Sequence, residues 1–489
     1  MKQRRAFLLG NDLQVASGLA PTTTVLDWLR LNQRRTGTKE GCAEGDCGAC
    51  TVVIGRLDGE TLRYEAINAC IRPLVSLDGC QILTVEHLKS PDGALHPVQQ
   101  AMVDLHGSQC GFCTPGFVMS LYAMYLEAAP ANVLQIEDAL AGNLCRCTGY
   151  RPIIDAAMNT LGERGAVDMT SRSETARRLL ALRADETIVI EHASGACHAP
   201  TSCDALADLL DVHPEATIVA GATDAGLRIT KALEHFPVMV DLNRIKELKH
   251  VAETKDALIF GAMVDLNRVR RALGAMHPHL DELMRRFGSE QIRNSGTIGG
   301  NLANGSPIGD LPPVLIALDA ALVLRSKAGR RELPLERFFL DYRKQDRLPG
   351  EFVEQIIVPK LPADALLHVS KISKRFDEDI SSVCGAFRIL LDAGGCVADA
   401  RLAFGGMAGV PKRAANAEAA LKGARWSMEA AVAAAGALSL DFTPLTDMRA
   451  SARYRTSVAA NLLRRFALET LSPHIATRVS GGLRTLADA

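Results

Sequence analysis

Almost no charge is left over in this chain: 55 Lys and Arg stand against 56 Asp and Glu, a net charge of −1 over 489 residues. Without an excess of either sign, there is no electrostatic reason to expect nucleic acid or an anionic membrane surface as a partner. Long apolar runs are missing too. No uninterrupted stretch approaches the ~20 apolar residues of a membrane span. The apolar run ahead of Asn11 and Asp12 is only four residues long, shorter than the core of a signal peptide. Nothing therefore points to an oxidising compartment or to disulfides, and reducing cytoplasm is the expectation. Internal repeats, low-complexity tracts and the Rossmann Gly-x-Gly-x-x-Gly are also lacking, which argues against a nicotinamide-type dinucleotide fold. What remains is ordinary soluble composition, 47% apolar and 23% charged, in a chain long enough for three or four domains.

Cysteine is where the sequence is informative. Of thirteen cysteines, eight fall into two quartets within the first 150 residues. Cys42, Cys47, Cys50 and Cys70 follow Cys-x4-Cys-x2-Cys with a distant fourth, the plant-type 2Fe–2S spacing. Cys110, Cys113, Cys145 and Cys147 form a Cys-x2-Cys pair and a Cys-x-Cys pair. Thiolates suit iron, and four complete a two-iron cluster. Zinc is the alternative, chiefly for the second quartet. In the first, Gly41, Gly45 and Gly48 alternate with the ligands, so the backbone can wrap closely and aim N–H groups at cluster sulfurs.

The pattern along the chain predicts an α+β multidomain protein. A β-grasp ferredoxin-like domain is expected over 1–84, with strands at Ala6–Leu9, Thr51–Ile54 and Leu62–Ala66 and a helix over Thr24–Leu31. A helical domain follows over 85–163. Thr114-Pro115 starts one helix through Val118, Leu121, Tyr122 and Tyr125. Thr148 caps another with Ile154, Ala157, Met158 and Leu161 on one face, so each cysteine pair precedes a helix N-terminus. A four-helix bundle is the economical arrangement. Residues 164–190 read as a surface linker, 191–365 as a mixed α/β domain, and 366–489 as a C-terminal α+β domain ending in a polar tail after about Arg478. In the third domain Thr217–Ala220, Val238–Leu242 and Leu258–Ala262 read as strands.

Two glycine-rich segments mark the middle third. Ile218-Val-Ala-Gly-Ala-Thr-Asp-Ala-Gly226 is a strand, a turn and a helix start, a form whose N–H groups cradle a pyrophosphate; an ordinary strand–helix turn is the alternative. Phe287 to Asn301, continuing to Asp310, spends four glycines in one loop, and glycine loses the most entropy on ordering. Together they favour a flavin dinucleotide, which converts between the one-electron steps of iron–sulfur clusters and a two-electron hydride.

These motifs resemble the iron–sulfur/flavin subunit of bacterial two-subunit xanthine dehydrogenases, in the molybdenum hydroxylase family. Gly37 to Cys50, Gly107 to Gly116, Gly142 to Tyr150 and Thr297 to Asp310 are similar to its two cluster loops and its FAD signature. The xanthine branch is suggested by Phe339 to Asp346, Ser373 to Ile380 and Phe404 to Arg413. The resemblance implies two 2Fe–2S clusters on the eight cysteines. It implies FAD held by Ile218, Val219, Ala220, Gly221, Ala222, Thr223, Asp224 and Ala225, and by Thr297, Ile298, Gly299, Gly300 and Asn301. Phe287 would lie on the flavin ring face, with core packing as its alternative; Asp310 and Lys371 would reach the flavin. Ala222 departs from relatives that often carry Gly or Asn. The loop Lys374 to Ile380 would influence whether NAD or oxygen takes the electrons.

No segment fits a molybdopterin domain, so the resemblance implies a molybdopterin-binding large subunit as partner, in a dimer of heterodimers. Xanthine or hypoxanthine would be hydroxylated there, and electrons would pass through the helical-domain cluster, the ferredoxin-like cluster and FAD to NAD. No residue of this chain is expected to act on the purine. The same architecture serving another hydroxylase, for aldehydes, nicotinate or carbon monoxide, is the nearer alternative, and a zinc-binding scaffold the more distant. Cys80, Cys197, Cys203, Cys384 and Cys396 are expected to be small buried apolar residues.

Overall fold

The computed structural model describes residues 5–129, 132–162, 169–183 and 186–477. The chain divides into two compact units. One is Met1–Lys246 with Gly288–Gly296; the other is Glu247–Phe287 with Thr297–Asp488. The first unit thus takes back a short segment of chain that is flanked on both sides by the second.

The first unit opens on a five-stranded sheet, in the order Asp12–Ala16, Arg5–Leu9, Gln81–Leu83, Thr51–Asp58, Thr61–Asn68. Only the pairing of Arg5–Leu9 with Gln81–Leu83 is parallel. β-Branched Thr51, Val52, Val53 and Ile54 suit the central strand, and Val52 and Ile54 join Phe7, Val25 and Trp28 in the core beneath it. Thr24 caps the helical turns over that core, its Oγ1 accepting from Asp27 N at 3.0 Å. Four helices follow: Pro97–Asp104, Thr114–Leu126, Val133–Leu140 and Arg151–Gly162. Pro97 and Pro115 sit in first turns, where no N–H is missed. Thr114–Leu126 is apolar almost all round because it packs on the strand Thr51–Asp58 as well as on its sister helices.

Two local expectations are corrected. The last helix buries Ile153, Ala156, Ala157, Thr160 and Leu161, while Met158 is exposed. Ile153 and Ile154 both match helical spacing to Ala157 and Leu161, and packing selects the Ile153 side. Thr148 does not cap this helix; its hydroxyl accepts from Tyr150 N at 3.1 Å and lies 3.2 Å from Cys145 Sγ. The stretch read as linker carries the helix Met169–Leu182, laid on the first sheet by Leu179 against Leu8 and Leu62. Residue 163, residues 164–168 and 184–185 of that stretch, and the tail from Arg478 lie outside the described residues.

The first unit closes with a four-stranded sheet, Ile188–His192, Gly195–Ala199, Val238–Asp241 and Thr217–Val219 in that spatial order. The second unit stacks helices on an antiparallel five-stranded sheet that includes Ala257–Gly261 and Phe352–Pro359. A second antiparallel sheet, built on Leu366–Ile372, Val383–Leu391 and Val397–Gly405, is covered by the helices Met428–Asp441 and Ala452–Leu471. Among the described residues, no helix is long and apolar enough to cross a membrane.

Candidate functional site

The loop Cys42–Cys50 gathers its thiols by folding its backbone round them. Cys42 Sγ accepts N–H bonds from Glu44, Asp46 and Cys47, each at 3.4 Å. Gly48 makes this path possible: its φ is +69°, and a Cβ there would stand 2.2 Å from the Gly142 carbonyl oxygen. Asn68, buried, braces the loop by donating to Gly45 O at 2.6 Å. The four thiols are mutually in reach, Cys42 against Cys47 and Cys70, and Cys70 against Cys50, and all are free. Hydrogen bonding from Cys47 and Cys70 holds the Cys42 thiol well below its ordinary value. Cys47 and Cys70 are pushed up, first through the same bonds. Thiols this close cannot all ionise unless cations replace their protons, so the donor set fits an iron pair.

The second quartet is assembled from two helix approaches. Cys113 immediately precedes the helix Thr114–Leu126, and Cys145 and Cys147 precede Arg151–Gly162. Cys113 lies against Cys145, and Cys147 against Cys110. Burial first, then Cys145, pushes the Cys113 thiol up to about 12. Burial works against ionising Cys145 as well, but the Thr148 hydroxyl and N–H outweigh it and lower that thiol. Cys110 and Cys147 are exposed, and so are the neighbouring Phe112, Leu144 and Tyr150.

One hydrogen bond joins the quartets. Leu144 N donates to Cys47 O at 3.0 Å, so a ligand residue of the first set is bonded to the residue preceding a ligand of the second.

The turn after Thr217–Val219 has its own supports. Arg72, two residues beyond Cys70, donates to Gly221 O at 3.1 Å, and Asn243 Nδ2 donates to Ala220 O at 3.1 Å. At Gly221 a Cβ would fall 1.7 Å from Ser295 O, so only glycine fits that approach. Ala222 has φ +64°, which gives the departure at this position its physical meaning: the strain lies in the backbone, beyond any need for room. Val219, Gly221 and Ala222 are buried, while Ile218, Ala220, Thr223 and Ala225 are half-buried and Asp224 exposed.

In the second unit Thr297 caps the short helix Ile298–Ala303, its Oγ1 accepting from Gly300 N at 3.1 Å. Gly299 N donates to Ala262 O at 2.9 Å. Asn301 Oδ1 is buried without a partner among the described residues, an acceptor that fits a cofactor donor. Asp310 and Lys371 are brought together as a buried ion pair at 2.7 Å, and Ser381 Oγ donates to the other carboxylate oxygen. Phe287 packs against the core of this unit. The loop Lys374 to Ile380 is gripped by Arg286, which donates to Phe376 O at 3.0 Å and lies 4.5 Å over its ring. Of the remaining cysteines, Cys197, Cys203 and Cys384 are buried, whereas Cys80 and Cys396 are half-exposed.

A further cluster, His279, His368 and Glu469, brings ligand-type atoms within 4.8 Å of one another. Its groups serve each other instead: His368 bonds Glu469 and Ser370, each at 2.8 Å, and Arg465 takes the second Glu469 oxygen at 2.8 Å. Asn68, Arg72 and Asn143 carry no local signal in the sequence, because each acts on a loop distant in the chain.

Four family models match in succession: a 2Fe-2S iron-sulfur cluster binding domain over 14–74, a [2Fe-2S] binding domain over 84–158, an FAD binding domain in molybdopterin dehydrogenase over 191–361, and a CO dehydrogenase flavoprotein C-terminal domain over 368–470. Xanthine dehydrogenase of Emericella nidulans is 32% identical over 95% of this chain and 38% of its own length. That of Drosophila subobscura is 34% identical over 79% of this chain and 33% of its own. The chain thus spans about a third of these relatives. Among solved structures, carbon monoxide dehydrogenase from Hydrogenophaga pseudoflava is 31% identical, with 55% of this chain and 94% of that one covered and a TM-score of 0.52. Quinoline 2-oxidoreductase from Pseudomonas putida 86 is 25% identical, with 57% and 97% covered and a TM-score of 0.51.

Proposed function

Since the chain belongs to the molybdenum hydroxylase family and carries its two 2Fe–2S domains and its FAD-binding domain, we propose that it is the electron-transfer part of an NAD-linked xanthine dehydrogenase. Electrons from a molybdopterin-bearing partner, where xanthine or hypoxanthine is hydroxylated, pass by way of the helical-domain and ferredoxin-like quartets to FAD and then to NAD. The bond from Leu144 N to Cys47 O carries this reading. It gives the two ligand sets a short covalent and hydrogen-bonded connection, for which a static metal scaffold has no use. The xanthine dehydrogenases among the relatives, and the segments Phe339 to Asp346, Ser373 to Ile380 and Phe404 to Arg413, support purine as substrate.

When bound, the clusters supply one-electron steps and FAD the exchange with a hydride. The chain's own part is to hold and insulate them. The cysteines fix eight thiolates, and the N–H groups at Cys42 stabilise sulfur charge. The resemblance supports FAD contacts for Ile218 to Ala225 in the first unit, and for Phe287, Thr297 to Asn301, Asp310 and Lys371 in the second. The exposed apolar Phe112, Leu144 and Tyr150 beside the exposed Cys110 and Cys147 suit burial by the molybdopterin partner. A dimer of such pairs in the cytoplasm completes the proposed assembly.

The likeness to carbon monoxide dehydrogenase and quinoline 2-oxidoreductase favours one second reading, the same parts serving a different hydroxylase substrate, and the identity of the partner separates the two. An anaerobic NADH titration of the purified protein tests the nicotinamide outlet. Bleaching of flavin and iron–sulfur absorbance by NADH is the expected result. Bleaching by dithionite alone would transfer the outlet to oxygen or another acceptor.

A further inference from the structure

The connection between the quartets is held by a residue from far along the chain. Gln291, in the returning segment Gly288–Gly296, is fully buried. Its Nε2 donates to Asn143 Oδ1 at 2.9 Å and to Ser120 Oγ at 3.0 Å. Ser120 Oγ in turn donates to Asn143 Oδ1 at 2.7 Å. On its other side Asn143 Nδ2 donates to Gly48 O at 3.1 Å and Thr51 Oγ1 at 3.3 Å. Asn143 immediately precedes Leu144, the donor to Cys47 O, and Gly48 immediately follows Cys47. Two side-chain amides in series therefore clamp the peptides that flank the junction.

The clamp has a required polarity. An asparagine amide can sit in its slot either way round, with oxygen and nitrogen exchanged. Ser120 does not choose, because a hydroxyl both donates and accepts. The Gly48 carbonyl only accepts, so it requires Asn143 Nδ2 on its side and turns Oδ1 toward Gln291, whose Nε2 donates to it while its own Oε1 is buried without a hydrogen-bond partner among the described residues. The reverse orientation would set oxygen against oxygen at Gly48 and nitrogen against nitrogen at Gln291. There is no slack to absorb this: a Cβ at Gly142 would stand 2.4 Å from Gln291 Oε1, and one at Gly116 would stand 2.2 Å from Gly48 O.

We propose that Gln291 is a positioning residue for electron transfer between the two clusters, bracing Asn143 by donating to its Oδ1 so that Asn143 holds the Gly48 carbonyl and Leu144 N stays bonded to Cys47 O. This rests on the electron-transfer reading above. The test uses the full-length, cluster-loaded protein reduced with dithionite, which requires neither purine nor NAD. Iron and FAD content, the spin–spin interaction of the two reduced clusters by low-temperature EPR, and the rate of intramolecular electron redistribution after photoreduction are measured. Gln291→Met is expected to keep both clusters while changing the interaction and slowing redistribution about 10-fold, the usual scale for losing an outer-shell partner. Asn294→Ala removes a different bond of the same segment, to Ala66 O at 2.9 Å, and is expected to leave both readouts at wild type. If Gln291→Met fails to load, the isosteric Gln291→Glu, whose carboxylate cannot donate to Asn143 Oδ1, takes its place with the same expected change. Wild-type behaviour in the loaded Gln291 variant, or an equal loss in Asn294→Ala, overturns the proposal. A wild-type protein lacking two interacting signals overturns the electron-transfer reading and the proposal together.

Discussion

The pair of Asp310 and Lys371 separates a structural role from a cofactor role. Their side chains are only 6% and 4% exposed and meet at 2.7 Å, between the start of the helix Leu311–Ala317 and the strand Leu366–Ile372. Removing one partner from a buried pair leaves an uncompensated charge, at a cost of about 3–5 kcal/mol. At ~1.4 kcal/mol per tenfold, the lower figure is roughly a 100-fold change in local opening. Asp310→Ala also strips Ser381 of its acceptor. The assay is amide hydrogen exchange of FAD-free protein, read in peptides covering Leu366–Ile372 and Val383–Leu391, where Lys371 lies opposite Cys384. Asp310→Ala and Lys371→Met are each expected to speed exchange there. The double variant should fall short of their sum by about 1–3 kcal/mol, as expected for directly contacting groups. Single variants within about threefold of wild type, or strict additivity, would refute the reasoning. Loss of FAD retention with unchanged exchange would show that the two residues serve the flavin alone.

Ala222→Gly is expected to stabilise the first unit by about 0.5–1 kcal/mol, since it relieves a left-handed backbone while adding unfolded-state entropy; a lowered thermal midpoint counts against it. Glu469 is held below the usual carboxylate value, burial being outweighed by His368, Thr477 and Arg465. A carboxylate with a depressed folded value stabilises above its unfolded pKa of about 4.3 and loses that contribution as pH falls through the folded one. Protection of the helix Ala452–Leu471, that is, exchange relative to the intrinsic rate at each pH, should therefore fall with acid below about pH 5, and Glu469→Gln should flatten that dependence. Cys145→Ser should stop purine-to-NAD flow while sparing much of the direct oxidation of NADH at FAD; equal loss of both in a folded variant would reverse the assigned order of centres.

What the sequence revealed was local. The cysteine quartets and the glycine-laced loops keep their spacing within a few residues, and the helix starts at Thr114 and Arg151 are written beside them. What it concealed is paired across distance. Asn143 and Gln291 are 148 positions apart, and Arg72 and Gly221 are 149 apart. Nor does the sequence show that Asp310 and Lys371, 61 residues apart, face one another. The helix Met169–Leu182 was hidden for a different reason. Its surface is nearly all polar, with Thr175 and Leu179 its buried residues, so no apolar stripe announced it.

The return of residues Gly288–Gly296 to the first unit also sets an order of events at the ribosome. The N-terminal half would ordinarily be free to fold once Lys246 had been made. Here its buried amide network lacks Gln291 until some 45 further residues exist, about 2–9 s of synthesis at ordinary speeds. During that interval Asn143 lacks the amide that donates to its Oδ1, and the first unit is one segment short of its native contacts.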